Sequence, residues 1–183
     1  MTALRDKARA FAIERHGDQL YGDRPYAVHL AAVEQVLVDH GFVTDHWRAA
    51  AWLHDVLEDT PATFEEIDSH FGGLIAEMVH AVTGVGVNRA DRTGSILGKL
   101  RLRPAACALK VADRIANVEA AANSPRHLSL YRYEQPSFTR VCKAEVPRAM
   151  WDHLERALSD PSRARSTQQP AEDVDWRDMP EAP

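Results

Sequence analysis

Ala51-Trp52-Leu53-His54-Asp55-Val56-Leu57-Glu58-Asp59-Thr60 is the stretch that decides how this chain reads. It places a His-Asp pair and a Glu-Asp pair on one expected helix. His54 and Glu58 stand four apart, as do Asp55 and Asp59, which is about one helical turn. The four side chains therefore converge, while Trp52, Leu53, Val56 and Leu57 sink the helix into a core. Two ligand-type groups beside two free carboxylates are what metal-assisted hydrolysis requires.

The pattern outward from this helix is nearly all helical. Leu4, Ala8, Phe11 and Ala12 give a first amphipathic helix ending near Gly17. A polar loop with Gly22, Asp23 and Pro25 leads to a second helix, Tyr26 to His40, closed by Gly41. Thr44 caps the third helix, which is expected to run unbroken to about Glu58 and to stop at Thr60-Pro61. Thr63-Phe64-Glu65-Glu66 is a capping box opening a short fourth helix, Gly72-Gly73 breaks it, and Leu74 to Val82 is a fifth. The glycine-rich stretch from Thr83 to Arg92 reads as a loop, followed by a weak helix from Thr93 to Arg101. Pro104 opens a long buried helix to Ala122, Pro125 precedes a short one, and Pro136 precedes a last one to about Leu158. No strand pattern and no repeat is convincing. Residues 1–160 are expected to form one all-α domain. The Ser, Pro, Gln and Asp content of 161–183 predicts a disordered polar tail.

At 183 residues, 45% hydrophobic and 27% charged, the chain can bury a sizeable core. A net charge of -5 argues against a nucleic-acid polymer as partner, yet local arginines can still bind a small anion. Cys107 and Cys142 form no CxxC pair, which suits a reducing cytoplasm. No apolar run is long enough to cross a membrane, and the N-terminus has no signal-peptide core.

Two further polar residues stand in apolar helical surroundings: His29 in Tyr26-Ala27-Val28-His29-Leu30, and Asp113 in Leu109-Lys110-Val111-Ala112-Asp113-Arg114. A buried carboxylate needs a partner or a metal. Asp113 beside Arg114 could simply join an ion-pair network. The ordered set His29, His54, Asp55 and Asp113 favours a metal instead. Nitrogen and oxygen ligands without sulfur suit Mn²⁺, Fe²⁺ or Zn²⁺. His16 reads as a group that caps or hydrogen-bonds the adjacent loop. Arg24, Arg89, Arg92 and Lys99 are candidate phosphate partners, with solvated loop charge the equal alternative for Arg89 and Arg92. Gly84 and Gly86 make no phosphate loop, since neither GK[ST] nor a preceding strand accompanies them.

At these residues the chain resembles the HD-domain superfamily of metal-dependent phosphohydrolases. More narrowly it is similar to the hydrolase domain of RelA/SpoT proteins and small stand-alone alarmone hydrolases. The matching pieces are His16…Gln19…Gly22…Pro25-Tyr26-Ala27-Val28-His29, the decisive stretch itself, Phe71-Gly72, Val82-Thr83, and Leu109-Lys110-Val111-Ala112-Asp113-Arg114-Ile115-Ala116-Asn117. They span about residues 5 to 145. The resemblance implies an HD-type helical bundle with a central site and one Mn²⁺ on His29, His54, Asp55 and Asp113. It implies catalytic roles for Glu58 and Asp59, and removal of the 3′-pyrophosphate of (p)ppGpp by a metal-activated water. It further implies substrate contacts from Asn117 and from a tyrosine that Tyr131 or Tyr133 matches. Asn88, Arg89 and Arg92 form a second basic element. The chain also departs from the family. The usual Arg-Lys pair between the glutamine and the glycine of the first motif is absent from Gln19-Leu20-Tyr21-Gly22, leaving Arg24 as the nearest base, and the usual His-Pro is His29-Leu30. An HD phosphohydrolase acting on another nucleotide, and a non-catalytic nucleotide-sensing module, are the two competing readings.

Overall fold

The computed structural model describes residues 3–160, and helices account for most of them. α1 (Leu4–His16) leads into a β-hairpin, β1 (Leu20–Tyr21) and β2 (Arg24–Pro25), and then α2 (Ala27–Asp39). α3 (Asp45–Leu53), α4 (Val56–Asp59), α5 (Phe64–Phe71) and α6 (Gly73–Val82) follow. The rest is α7 (Arg89–Leu102), α8 (Cys107–Ala120), α9 (Pro125–Cys142) and α10 (Arg148–Ser159). The expected tail, 161–183, lies outside the described residues.

Two apolar clusters build the interior, and α3 is shared between them. Its Ala50 and Ala51 join Val33, Leu37, Val111 and Ile115 on one side. Its Ala49, Trp52 and Leu53 join Leu30, Ile67 and Ile75 on the other. Small alanines on successive faces let α3 run between two layers without a wide gap, since interiors tolerate little void. The C-terminal end of α3 therefore reaches the seam of the two clusters, facing α2 and α8.

Local chemistry explains most of the ends. Gly41 takes φ +89, Phe42 N donates to Leu37 O and Gly41 N to Val38 O, the hydrogen-bond pair of a Schellman motif. Thr63 Oγ1 accepts from Glu66 N at 3.2 Å, as the capping-box pattern predicts.

Four sequence expectations need correction. The helix through the decisive stretch is interrupted: α3 ends at Leu53, and a turn at His54–Asp55 precedes α4. Asp55 keeps right-handed torsions there (φ -101, ψ -3), so helix propensity alone carries no warning of the break. A hairpin appears where no strand was expected, pairing Leu20 with Pro25 and Tyr21 with Arg24. Two-residue strands are too short to alternate. Their one signal is Gly22, whose φ of +67 opens the two-residue turn. α7 begins at Arg89 rather than Thr93, because Asn88 Oδ1 accepts from Asp91 N at 3.0 Å and caps it. Finally, Pro136 lies inside α9, and the chain breaks between Cys142 and Arg148 instead.

Candidate metal centre

His29 sits in the first turn of α2, His54 and Asp55 in the turn between α3 and α4, and Asp113 midway along α8. Their ligand atoms face one another. His29 Nε2 stands 3.2 Å from His54 Nε2, 3.4 Å from Asp55 Oδ2 and 3.3 Å from Asp113 Oδ1. His54 Nε2 stands 3.0 Å from Asp55 Oδ2 and 3.6 Å from Asp113 Oδ1. Ligands about 2.1 Å from a shared ion stand about 3.0–3.4 Å apart in octahedral or tetrahedral arrangements. The donor set therefore fits a divalent cation, and His29, His54 and Asp55 form a cluster able to hold one. Both histidines are nearly fully buried, at 3% and 1% exposure, so their Nε2 atoms face the cluster and not water.

Neighbouring groups orient these donors. His54 Nδ1 donates to Ala51 O at 2.8 Å, which turns Nε2 toward the other donors. Tyr26 Oη donates to Asp55 Oδ2 at 2.6 Å, and Lys110 Nζ pairs with Asp113 Oδ2 at 2.7 Å. Electrostatics run against burial throughout. Burial pushes the His54 imidazole down, but the Asp55 and Asp113 carboxylates outweigh it and raise it to about 10. Burial pushes the Asp113 carboxyl up, but Lys110 and the two imidazoles hold it well below the carboxylate range. Asp55 is held low in the same way by His54 and His29, again against its own burial. An acidic pair poised to stay ionised beside two imidazoles suits a cation in charge as well as in shape.

The two remaining carboxylates flank the cluster from α4. Glu58 Oε2 accepts from Gly84 N at 2.7 Å, with Arg92 Nε 3.8 Å from Oε1. Asp59 Oδ2 accepts from Gln19 Nε2 at 3.1 Å, and Gln19 Oε1 is 2.8 Å from His16 Nδ1. His16 is thus used in the loop contact expected of it, and its ring also stacks on Tyr26 with centroids 4.5 Å apart.

An HD-domain family model matches residues 8–97. Over that stretch the chain is similar to HD domains. It is 36% identical over 120 residues to an Aquifex aeolicus guanosine-3′,5′-bis(diphosphate) 3′-pyrophosphohydrolase, covering 62% of this chain and 17% of that protein. It is 43% identical over 77 residues to the Danio rerio 3′-pyrophosphohydrolase MESH1, covering 40% of this chain and 43% of that protein. The chain thus spans less than half the length of either relative. The solved structure of a metazoan SpoT ortholog, described as hydrolysing ppGpp, superposes with a TM-score of 0.72 at 21% identity, over 92% of this chain and 98% of that one. That likeness gives the fold: an HD-type helical bundle.

In this fold, one cleft of about 250 Å³ is lined by His29, Asp55 and Asp113, by Glu58 and Asp59, and by Arg89, Arg92, Lys110, Arg114, Asn117 and Tyr131. Arg89 reaches across it to Glu134, with Nε–Oε1 at 2.6 Å and Nη2–Oε2 at 3.1 Å. The Arg89 and Arg114 guanidinium carbons each lie 5.1 Å from the Tyr131 ring centroid. Arg24, Asn88 and Tyr133 do not line the cleft. Asn88 spends its side chain on the α7 cap. Tyr133 is 86% exposed, because two residues along a helix turn it roughly 200° from Tyr131. Arg24 is an exposed hairpin residue. Lys99 donates to His80 O and Thr83 O, closing the end of α6. Sequence reasoning assigned no role to Tyr26, Lys110 or Gln19, and read Arg114 only as a possible ion-pair partner of Asp113. Tyr26 read as core because its ring is apolar. Lys110, three residues before Asp113 on one helix, offered a signal that was there to use.

Proposed function

We propose that the chain is a metal-dependent phosphohydrolase that removes the 3′-pyrophosphate of a guanosine 3′,5′-bis(diphosphate). One observation carries this reading. A single cleft is lined by candidate metal ligands, two further carboxylates and several cations. The activity for which the Aquifex aeolicus and Danio rerio relatives are named supports it.

His29, His54, Asp55 and Asp113 would hold the cation, in our reading Mn²⁺, with Fe²⁺ or Zn²⁺ the other fits to two nitrogens and two oxygens. When bound, such an ion supplies Lewis acidity at a phosphoryl oxygen and a lowered pKa for water. The chain's own groups do the rest. Glu58 and Asp59 move the protons: one takes a proton from the attacking water, and the other returns one to the departing 3′ oxygen. The water oxygen–phosphorus bond forms as the 3′ oxygen–phosphorus bond breaks. Gly84 N and Gln19 Nε2 fix the two carboxylates, so neither needs to reorganise. Arg89 and Arg92 neutralise phosphate oxygens, Asn117 contacts substrate beside the ligands, and Tyr131 walls the nucleotide. Two free, buried thiols fit our cytoplasmic assignment.

Leu20 and Tyr21 bring no cation to the hairpin, and this favours one second reading: an HD phosphohydrolase for another nucleotide, such as a nucleoside monophosphate or a phosphorylated dinucleotide. A kcat/KM panel on protein of verified metal content separates the readings. We expect ppGpp to lead by at least about 100-fold, or ~2.7 kcal/mol. Preference for another nucleotide selects the second reading, and tight nucleotide binding without turnover selects a sensing module.

A further inference from the structure

His29 is the ligand whose orientation the usual device does not explain. A metal-binding histidine normally donates its second ring N–H to a carboxylate, carbonyl or water. His54 does so through Ala51 O, whereas His29 Nδ1 is buried with no hydrogen-bond partner among the described residues. What fixes the His29 ring instead is aromatic. Tyr21 stacks on it with centroids 4.7 Å apart and planes 15° apart, and Tyr26 packs edge-on at 5.6 Å.

The Tyr21 hydroxyl acts on a second ligand. It donates to Asn117 Oδ1 at 2.8 Å, while Asn117 Nδ2 donates to Asp113 through both its backbone O and its Oδ1. The polarity of this chain is forced. Both Asp113 atoms only accept, so the Asn117 amide must present its NH₂ to them and its oxygen to Tyr21, and the phenol must donate. With the hydroxyl gone, Asn117 Oδ1 loses its donor, and the amide is held in place from the Asp113 side alone.

We propose that Tyr21, on the hairpin strand β1, is a positioning residue for the metal site. Its ring holds His29 and its hydroxyl, acting through Asn117, holds Asp113. One side chain thereby orders ligands from α2 and α8. The inference rests on the metal-site reading above.

The test is calorimetric titration of the metal-stripped full chain with Mn²⁺, without nucleotide, alongside metal-free Tm. Tyr21→Phe keeps the stack and removes the hydroxyl, and Tyr21→Leu removes both. We expect Tyr21→Phe to weaken Mn²⁺ binding about 10-fold, and Tyr21→Leu to weaken it towards about 100-fold. Asn117→Ala should weaken it as Tyr21→Phe does, and the Tyr21→Phe/Asn117→Ala pair should be no weaker than Asn117→Ala alone, a coupling that mere packing would not give. Should Tyr21→Leu fail to fold, Tyr21→Phe and the double variant decide the matter. Wild-type affinity in Tyr21→Phe and Tyr21→Leu overturns the Tyr21 assignment while leaving the metal site intact, as do fully additive effects in the pair. No Mn²⁺ binding by the wild-type chain overturns both.

Discussion

The backbone N–H of Gly84 donates to Glu58 Oε2 at 2.7 Å, tying the loop after α6 to the carboxylate beside the candidate metal ligands. A Cβ on Gly84 would meet Arg92 Cβ at 2.8 Å and Glu58 Oε2 at 3.3 Å. The first contact is too close to survive, and Arg92 Cβ is fixed by the α7 backbone. Glycine is needed here for close approach, not for a phosphate loop. Gly84→Ala should displace Glu58 and lower kcat about 10-fold or more, since a shift of about 1 Å near the chemistry is costly. Mn²⁺ affinity should stay near wild type. Unchanged kcat would remove the Gly84–Glu58 contact from the account.

Glu58→Gln keeps the shape of the side chain and removes its basicity. Turnover should fall on the order of 10²–10⁴-fold with the metal retained, because that is the range positioned acid–base groups supply. Metal content and kcat measured on one preparation check this. Full activity would take Glu58 out of the mechanism.

The metal-free protein should show a characteristic pH dependence. His54 is raised from 6.5 to about 10: burial lowers it, and Asp55 and Asp113 more than compensate. A raised folded-state pKa contributes stability that is complete below about pH 6.5 and is lost as pH climbs through about 10. Metal-stripped Tm should therefore decline across that window. Mn²⁺ must displace the His54 proton, so loading near pH 8 should release about one proton. Calorimetry in buffers of different ionisation enthalpy reads this release directly. Buffer-independent heats would contradict the protonated His54.

Glu34 anchors the fold away from the chemistry. Its carboxylate accepts from Arg5 Nε and Nη2, both at 2.8 Å, from Arg48 Nε at 2.7 Å and from Trp52 Nε1 at 2.6 Å. Burial pushes Glu34 up, yet these donors hold it below its ordinary 4.5. Its stabilisation is present above that value and is lost as pH falls through the lower folded-state pKa. Glu34→Ala should cost roughly 2–3 kcal/mol, reduced from the fully buried case because both arginines are partly solvated. Denaturant melts of variant and wild type should also converge in acid. Equal stability at pH 7 would sink the argument.

Much of this was legible in the chain. His29, His54, Asp55 and Asp113 stood out because each is polar within an apolar helical run, and the structure brings each histidine Nε2 within 3.0–3.6 Å of the other and of an oxygen of Asp55 and of Asp113. The turn at His54–Asp55 was not legible, since its torsions stay in the helical region. Nor was the hairpin, whose strands are two residues each. Arg24, Asn88 and Tyr133 were picked for their charge or ring, but local geometry decides their direction: a hairpin position, a helix cap, and the outer face of α9. Lys99 has a helix end to close. Tyr21 and Tyr26 were hidden because an aromatic residue near a core carries the same sequence signal whether or not its hydroxyl is used.

The most direct test of the central claim is anion-exchange separation of products after Mn²⁺-loaded protein is incubated with ppGpp. The account predicts GDP and pyrophosphate from the wild-type chain and neither from Asp55→Ala. Intact ppGpp, with the metal confirmed in place, would contradict it.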